Sequence, residues 1–494
     1  MGDGALGAEP LKVSIYDLRR NGPFVTLDFG ITCENAGGCG VGSDFAFVTL
    51  RDENTPSTIK AYGNTAGGVM IIDPSNRLEY RAVTDSSGRP FASSLPFHVS
   101  DSLVHRAWVT FRAPPQSVRT MSVVFPMGGP VVPDVPISSQ PAPSPSEVGS
   151  SAVAAAAAPF AVPPGTTSTA GLTLPVENLI STVGNSSGSD SESPNKATIA
   201  LSADVLFQFD KATLTPRAHG VISQVAARIE QRATGVVRVD GYTDSIGTDQ
   251  VNIPLSQARA ASVVRAVKPL IGGASVTFQA AGHGSGDPVA PNTLAGGADN
   301  PSGRALNRRV TISFTVKRAA APAPLPAATP SQPAAGNSRS ATFTAADSSG
   351  GPDTYQVTAD HLFRDEDTVV LELTIRCQSA GGSSSGTCSG ADLAGTPTVP
   401  PVPASQQFSF QTQGGSASAI YLVDPNSGTQ YIPLRDTDGV ALTAGVNPSF
   451  KAGDSYPLWL MYPAPPASAS SETVVLPGGG TRIGPIPVAS TPPG

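Results

Sequence analysis

Two stretches near the ends of this chain are copies of one another, and that relation limits its architecture more than any other feature. Val13 to Cys33 aligns without a gap onto Val357 to Cys377 at an offset of 344 residues, and Asp73 to Pro136 onto Asp424 to Pro487 at an offset of 351. Leu27-Asp28-Phe29-Gly30-Ile31-Thr32-Cys33 stands against Leu371-Glu372-Leu373-Thr374-Ile375-Arg376-Cys377, and Tyr80 against Tyr431. The only two tryptophans, Trp108 and Trp459, hold matching positions before Ala113-Pro114-Pro115 and Ala464-Pro465-Pro466. The offsets differ by seven residues, five of which fall between the cysteines of the second copy.

Within each copy, short apolar runs alternate with polar residues and are cut by turn formers. Val13-Ser14-Ile15-Tyr16 and Thr120-Met121-Ser122-Val123-Val124-Phe125 are such runs; Asp73-Pro74-Ser75-Asn76 and Asp424-Pro425-Asn426-Ser427 are such turns. Several short strands at this spacing predict a β-sandwich of immunoglobulin-like type over residues 11–137 and a related one over 341–490.

The segments between are of two kinds. Residues 138–196 and 319–340 are dominated by Pro, Ala, Ser and Gly, which bury too little apolar area to offset chain entropy, so both read as extended or flexible linkers. Within the first, Leu174 to Ile180 carries the pattern of a docking strand. Residues 197–318 instead alternate strand and helix. An opening strand runs near Thr198 to Phe207. Thr215-Pro216 is a cap and first helical position, followed by Val221, Ile222, Val225, Ala226 and Ile229 at helical spacing and a stop at Gly235. Val236 to Val239 is a strand. A second helix is expected to begin near Asn252-Ile253-Pro254, with the apolar stripe Leu255, Ala258, Val263, Ala266, Val267 and Leu270. Val276 and Phe278 mark a strand, and Val310, Ile312, Phe314 and Val316 alternate with polar residues in a last one. The expected fold is α+β, βαβαββ, with helices over one face of a mixed sheet.

Charge follows the same division. Residues 201–318 hold 13 Lys and Arg against 8 Asp and Glu, whereas the whole chain carries a formal charge of -7. The overall acidity argues against a general nucleic-acid binder, and the basic middle suits an anionic polymer. No run reaches the ~18 apolar residues of a membrane span. Met1 to Pro10 has neither the basic nor the apolar region of an export signal, which leaves three readings open: a signal removed from this sequence, a start placed late, or retention inside the cell. Cys33 with Cys39 and Cys377 with Cys388 each bracket a Gly- or Ser-rich loop, so a disulfide is expected within each copy, and paired oxidised cysteines favour export.

The residues that carry chemistry lie in the middle. Asp244 ends the run Gly241-Tyr242-Thr243-Asp244 after a strand, and Arg259 is expected one turn into the following helix. A strand-loop-helix return brings the two together. A carboxylate attracts an ammonium, and a guanidinium grips a carboxylate by two parallel bonds, so the pair suits a zwitterion such as an α-amino-acid head group. At roughly 1.5–3 kcal/mol for each charge-assisted bond, a free ligand would bind on the order of millimolar. Spacing alone equally allows an internal salt bridge fixing strand to helix.

Residues 198–318 resemble the OmpA-like peptidoglycan-binding domain. The resemblance rests on Phe207-Gln208-Phe209-Asp210, Gly241-Tyr242-Thr243-Asp244 with Gly247, Asn252, Leu255-Ser256, Arg259-Ala260, Gly282, Pro288, Gly303-Arg304 and Asn307-Arg308-Arg309-Val310. It covers about a quarter of the chain and implies nothing for the flanks. It implies that Asp244 holds the ammonium, and Arg259 the carboxylate, of diaminopimelate in the peptide stem. Thr243 belongs to the same run, Asn252 and the backbone about Asp210 would supply secondary contacts, Arg308 would line the groove, and Arg304 and Arg309 would be structural. Tyr242 stands where His is frequent in the family. The Gly- and Asn-rich segment from Pro291 to Asn300 has the composition of a mobile lip.

Other motifs fail on spacing. A Gly-x-Ser-x-Gly elbow about Ser285 would need glycines where His283 and Asp287 stand. The histidines at 98, 105, 219, 283 and 361 form no pair at metal-ligand spacing. No metal, cofactor or reaction is expected. The expected role is non-covalent attachment to peptidoglycan in the cell envelope, with the β-sandwiches as spacers or heads. The alternative is adhesion through the sandwiches to glycans or envelope proteins, with the middle as anchor only; at 6% aromatic residues a sugar-binding face looks thin.

Overall fold

The computed structural model describes residues 2–6, 9–33, 39–40, 65–95, 98–99, 104–126, 129–139, 152–153, 168–273, 276–293, 297–317, 338–346, 352–381, 386–389, 415–437, 439–446, 449–477 and 480–492. In the first flank, the long strands Glu9–Asn21, Phe24–Cys33 and Val104–Arg112 pair antiparallel. Val131–Ser138, Thr120–Val124, Met70–Asp73 and Leu78–Tyr80 continue the hydrogen-bonded path. Alternation in these runs sends Val25, Leu27, Phe29, Ile31, Val109 and Phe111 into one core. In the second flank, Pro352–Asp365, Thr368–Ser379 and Ser455–Pro463 pair in the same way. The strands Gln430–Arg435, Tyr421–Val423, Ser471–Val475 and Arg482–Pro487 form a neighbouring sheet.

The middle has the order strand, helix, strand, helix, strand, short helix, strand. Its sheet runs Val276–Gly282, Ala233–Gly241, Arg309–Val316, Lys196–Ser202; the first pair is parallel and the others antiparallel. The helices Ala218–Arg232 and Asp249–Val267 pack over it. Thr215 caps the first of these, its Oγ1 accepting from Ala218 N at 3.2 Å, and the expected stripe Val221, Ile222, Val225, Ala226 and Ile229 is buried.

Three local expectations need correction. The first strand ends at Ser202, where Ala203–Leu206 turns helical, short of Phe207. The helix of Ala218 stops at Arg232 and the strand starts at Ala233, so Gly235, with φ +72, lies inside the strand, where the register shifts between Thr234 and Arg238. The second helix starts at Asp249, which puts Arg259 nearly three turns in. Its buried face is Asn252, Ser256, Arg259, Ala260, Ser262, Val263 and Val267, while Ala258 and Leu270 are exposed. The reason is proximity. A Cβ on Gly241 would lie 2.1 Å from the Ser256 carbonyl oxygen, and one on Gly282 would lie 2.2 Å from Gln257 N. The helix rests on two glycine strand ends, and only small or hydrogen-bonded side chains fit beneath it.

The stretch read as a linker over 138–196 is strand in its last part. Val176–Asn178 pairs with Leu78–Tyr80 of the first flank. Ile180–Asn185 pairs with Gln430–Arg435 of the second flank, and Gly188–Glu192 with Lys196–Ser202 of the middle. One ten-stranded sheet therefore runs from the middle into the second flank. Its joining strands read as polar because their side chains find polar partners. Thr182 and Ser191 share a 3.0 Å hydrogen bond, and the wholly buried Glu192 accepts from Arg77 at 3.2 Å and Arg228 at 2.7 Å, with Arg232 also on it. Arg228 also pairs with Asp190 at 2.7 Å. A buried carboxylate is tolerated when several cations surround it.

The flanks also touch one another. Ile72, Val124 and Val131 of the first belong to the core that holds Val370, Trp459 and Met461 of the second. Ser122 Oγ donates to Asp365 Oδ2 at 2.6 Å, and Trp459 Nε1 donates to the Phe125 carbonyl at 3.4 Å. Trp459 is buried and Trp108 half-buried.

Candidate functional site

Gly241, Tyr242, Thr243 and Asp244 leave the strand Ala233–Gly241 where the second helix lies against the sheet. Thr243 N donates to the Gly284 carbonyl at 2.7 Å, and Tyr242 N to the Arg309 carbonyl at 2.9 Å, which ties the run to both neighbouring strand ends. Thr243 Oγ1 points back to the Asp244 carbonyl at 2.9 Å, so this hydroxyl is engaged locally. Asp244 is 8% exposed; Oδ1 accepts from Ile246 N at 3.1 Å and Oδ2 accepts from Arg308 Nη1 at 2.7 Å. Gly247, with φ +95, closes the following turn against Asn252, whose Nδ2 donates to the Ile246 carbonyl at 3.0 Å. Asn252 is 4% exposed and shapes the loop that presents Asp244.

Arg259 is 4% exposed overall and lies with its guanidinium 5.4 Å from the centre of the Phe207 ring. Its Nε donates to the Lys211 carbonyl at 3.1 Å. Its two Nη groups have no hydrogen-bond partner among the described residues, and neither is among the buried unpartnered atoms. The end of the guanidinium is therefore unpaired, on a side chain that is itself largely buried. Burial lowers its pKa, while Asp204, Asp210 and Asp244 oppose that shift and Arg308 adds to it. Those four groups are thus its electrostatic neighbours. Asp244 and Arg259 form no ion pair with each other, which removes the internal salt bridge that spacing left open.

Asp210 is exposed and sits at φ 51 in a tight turn, where Gln208 N donates to the Thr213 carbonyl and Lys211 N to the Gln208 carbonyl, each at 3.0 Å. The turn is what carries the Lys211 carbonyl under Arg259.

Arg308 joins Asp244 to Asp204, a residue that the sequence did not single out. Nε donates to Asp204 Oδ1 at 2.9 Å and Nη2 to Oδ2 at 2.6 Å. These bonds to Asp204 and Asp244 raise the Arg308 pKa against the opposing effect of burial. Arg304 pairs with Asp299 at 2.9 Å, and Arg309, 3% exposed, donates to the Asp287 carbonyl at 2.9 Å and lies 3.8 Å over the Tyr242 ring. Both therefore support the surrounding chain. Tyr242 stacks on His283 at 4.9 Å, and His283 Nε2 meets Asp240 at 3.0 Å.

The segment after Pro291 is anchored at its two ends. Asn300 Oδ1 accepts from Gly303 N at 3.1 Å, opening the helix Pro301–Asn307. The buried Asn307 accepts from Val289 N at 2.7 Å and Ala290 N at 3.0 Å, and donates to Asn292 Oδ1 at 3.0 Å. Asn292 Oδ1 also accepts from Ser245 N at 3.3 Å, beside Asp244. Asn307 and Phe207 stood among the matching motif residues, but only the contacts give them roles; Asp204 had no motif to mark it.

In the second flank Cys377 and Cys388 form a disulfide with Cα atoms 6.0 Å apart. Cys33 is disulfide-bonded as well; the side chain of Cys39 lies outside the described residues. Among the described residues no group of three or more metal-ligating side chains occurs, and no helix is long and apolar enough to cross a membrane.

Comparison with known proteins identifies the middle of the chain as an OmpA-like domain: residues 206–300 match the OmpA family. The chain is 37% identical over 125 residues to outer membrane protein A of Bordetella avium, covering 25% of this chain and 61% of that protein. It is also 37% identical over 119 residues to photosystem I P700 chlorophyll a apoprotein A2 of Gloeobacter violaceus, covering 24% of this chain and 14% of that protein. The chain thus spans less than two thirds of either relative. Among solved structures, the cell wall anchor of the T6SS from Pseudomonas aeruginosa aligns over 25% of this chain and 83% of its own, with 28% identity and a TM-score of 0.21.

Proposed function

We propose that the middle of this chain attaches the protein to peptidoglycan, by gripping the zwitterionic end of diaminopimelate in the peptide stem between Asp244 and Arg259. The observation that carries this reading is the unpaired end of Arg259. A guanidinium lying over Phe207, hydrogen-bonded through Nε and without a partner at either Nη group among the described residues, is a ready fork for a carboxylate. Asp244 is the opposite charge among its electrostatic neighbours, with Asp204 and Asp210 beside it. The family match over 206–300 supports the polymer as the source of the zwitterion. Asn252 and Thr243 set the loop of Asp244, and Asp210 sets the turn beneath Arg259. Binding of this kind needs no chemical step. An envelope location, outside the cytoplasm, agrees with the disulfide of Cys377 and Cys388.

We read the flanks as two related β-sandwiches, one built over 11–137 and the other over 341–490. Matching contacts support the relation. Arg20 Nη1 donates to the Pro114 carbonyl at 2.7 Å, and Arg364 Nη1 to the Pro465 carbonyl at 2.9 Å, between residues that the alignment pairs. Because strands 176–192 join them to the middle, the flanks would travel with the anchor as one body and space it from other surfaces of the envelope.

The test is retention of the full chain on purified peptidoglycan, compared with Asp244→Ala and Arg259→Ala. The reading requires both substitutions to reduce retention about tenfold or more, the loss of one charge-assisted contact. Equal retention of all three proteins would sink it.

A further inference from the structure

Arg308 raises a difficulty for any ligand ammonium at this site, because it already occupies one oxygen of Asp244. Its geometry also suggests how the difficulty is met. The guanidinium makes three hydrogen bonds: two go to Asp204, through Nε at 2.9 Å and Nη2 at 2.6 Å, and the third goes from Nη1 to Asp244 at 2.7 Å. The two carboxylates differ in surroundings. The side chain of Asp204 is 50% exposed, whereas that of Asp244 is 11% exposed. The two-bond pair is at the more exposed carboxylate and the single bond at the more buried one.

We propose that Arg308 is a tethered counter-ion, held by Asp204 and exchanged at Asp244 by the ammonium of the ligand. This rests on the reading of Asp244 as the ammonium partner. Before a ligand binds, Nη1 neutralises a carboxylate that would otherwise stand buried without a cation, which is costly. When the ammonium arrives, only the Nη1 bond is given up. Nε and Nη2 keep Arg308 charge-paired on Asp204, so the displaced guanidinium loses one hydrogen bond and no counter-ion. Without Asp204, Arg308 would have Asp244 as its one carboxylate partner, and the ligand would have to displace the whole guanidinium. Asp204 and Arg308 are positioning residues in this scheme, and the site prefers a compact cation that can replace a single N–H donor.

Asp204 also acts on Arg259, where its charge opposes the effect of burial. Removing that charge leaves Arg259 with a less negative neighbourhood, which favours a ligand carboxylate. That effect is opposite in sign to the loss expected here, so it does not imitate it.

The experiment measures binding of the full chain to purified peptidoglycan for wild type, Asp204→Asn, Arg308→Gln and the double variant, with Asp244→Asn and Arg259→Ala alongside. Asp204→Asn is expected to bind about tenfold more weakly, Arg308→Gln at least as tightly as wild type, and the double variant like Arg308→Gln. Rescue by the second substitution is the decisive readout, because a merely structural role of Asp204 would not be repaired by removing Arg308. Wild-type binding by Asp204→Asn, a double variant as weak as Asp204→Asn, or weakened binding by Arg308→Gln would each overturn the exchange. Wild-type binding by Asp244→Asn and Arg259→Ala would instead overturn the underlying reading of the site.

Discussion

Glu192, wholly buried, accepts from Arg228 at 2.7 Å across the boundary between a joining strand and the first helix of the OmpA-like domain. Arg77 of the first flank reaches the same carboxylate at 3.2 Å. One side chain thus connects three parts of the chain that composition alone presents as separate.

Glu192→Ala should therefore destabilise the whole protein. Removing the carboxylate leaves Arg77, Arg228 and Arg232 facing one another with the shared anion gone. Breaking a buried pair in this way costs about 3–5 kcal/mol. Urea unfolding followed by circular dichroism should show a lower midpoint, and a midpoint equal to wild type would contradict the clamp.

Glu472 makes stability pH-dependent. Burial, with a smaller contribution from Asp424 and opposed by Arg364, pushes its pKa up to about 8, and neither carboxyl oxygen has a hydrogen-bond partner among the described residues. The unfolded value is about 4.3. The folded state holds the proton more tightly, so the stabilisation is complete below the unfolded pKa and is lost as pH rises through about 8. Asp436, raised to about 7 by burial, acts in the same direction. Glu472→Met, which installs the residue found at the matching position Met121, should raise stability at pH 9 by on the order of a few kcal/mol and have little effect at pH 4. Melting curves at the two pH values check this; parallel curves for both proteins would refute it.

Gly241→Ala and Gly282→Ala should push the helix Asp249–Val267 off the sheet. The new Cβ atoms would fall 2.1 Å and 2.2 Å from helix backbone atoms. Overpacking of this kind costs roughly 1–3 kcal/mol, and peptidoglycan retention should fall with it because Arg259 rides on that helix. Gly220→Ala, at an exposed helix position with nothing within 4 Å, should instead stabilise by about 0.5–1 kcal/mol. Differential scanning calorimetry separates the two outcomes.

Arg259→Lys should not substitute for arginine. An ammonium lacks the fork that leaves both Nη amino groups without a partner after Nε has been spent on Lys211, so retention on peptidoglycan is expected to fall about tenfold. The wild-type interaction should weaken less with rising salt than an exposed ion pair would, since both side chains are largely buried and such charges are screened less. A lysine variant that binds like wild type would remove the bidentate grip.

Much of the middle was legible from residue order alone. Val221, Ile222, Val225, Ala226 and Ile229 recur at helical spacing, and that stripe is buried as read, because apolar periodicity and core packing express the same physics. Thr215 announced its cap in the same way. The second helix was misread because the code changes where a helix lies on glycines. There Ser256 and Asn252 are buried for their size and hydrogen bonds, and Leu270 is left 51% exposed.

By itself, the order of residues determined the OmpA-like character of the middle and most of its strand and helix types, and it marked Asp244 and Arg259 as the charged pair to watch. Only the tertiary structure decided what those charges face. Asp204 enters the site because an ion pair spans 104 positions between it and Arg308, and no local pattern encodes such a meeting. The joining strands 180–192 were hidden for a related reason. A polar strand can stay buried only when partners elsewhere in the chain satisfy each hydroxyl and carboxylate, and those partners become neighbours only on folding.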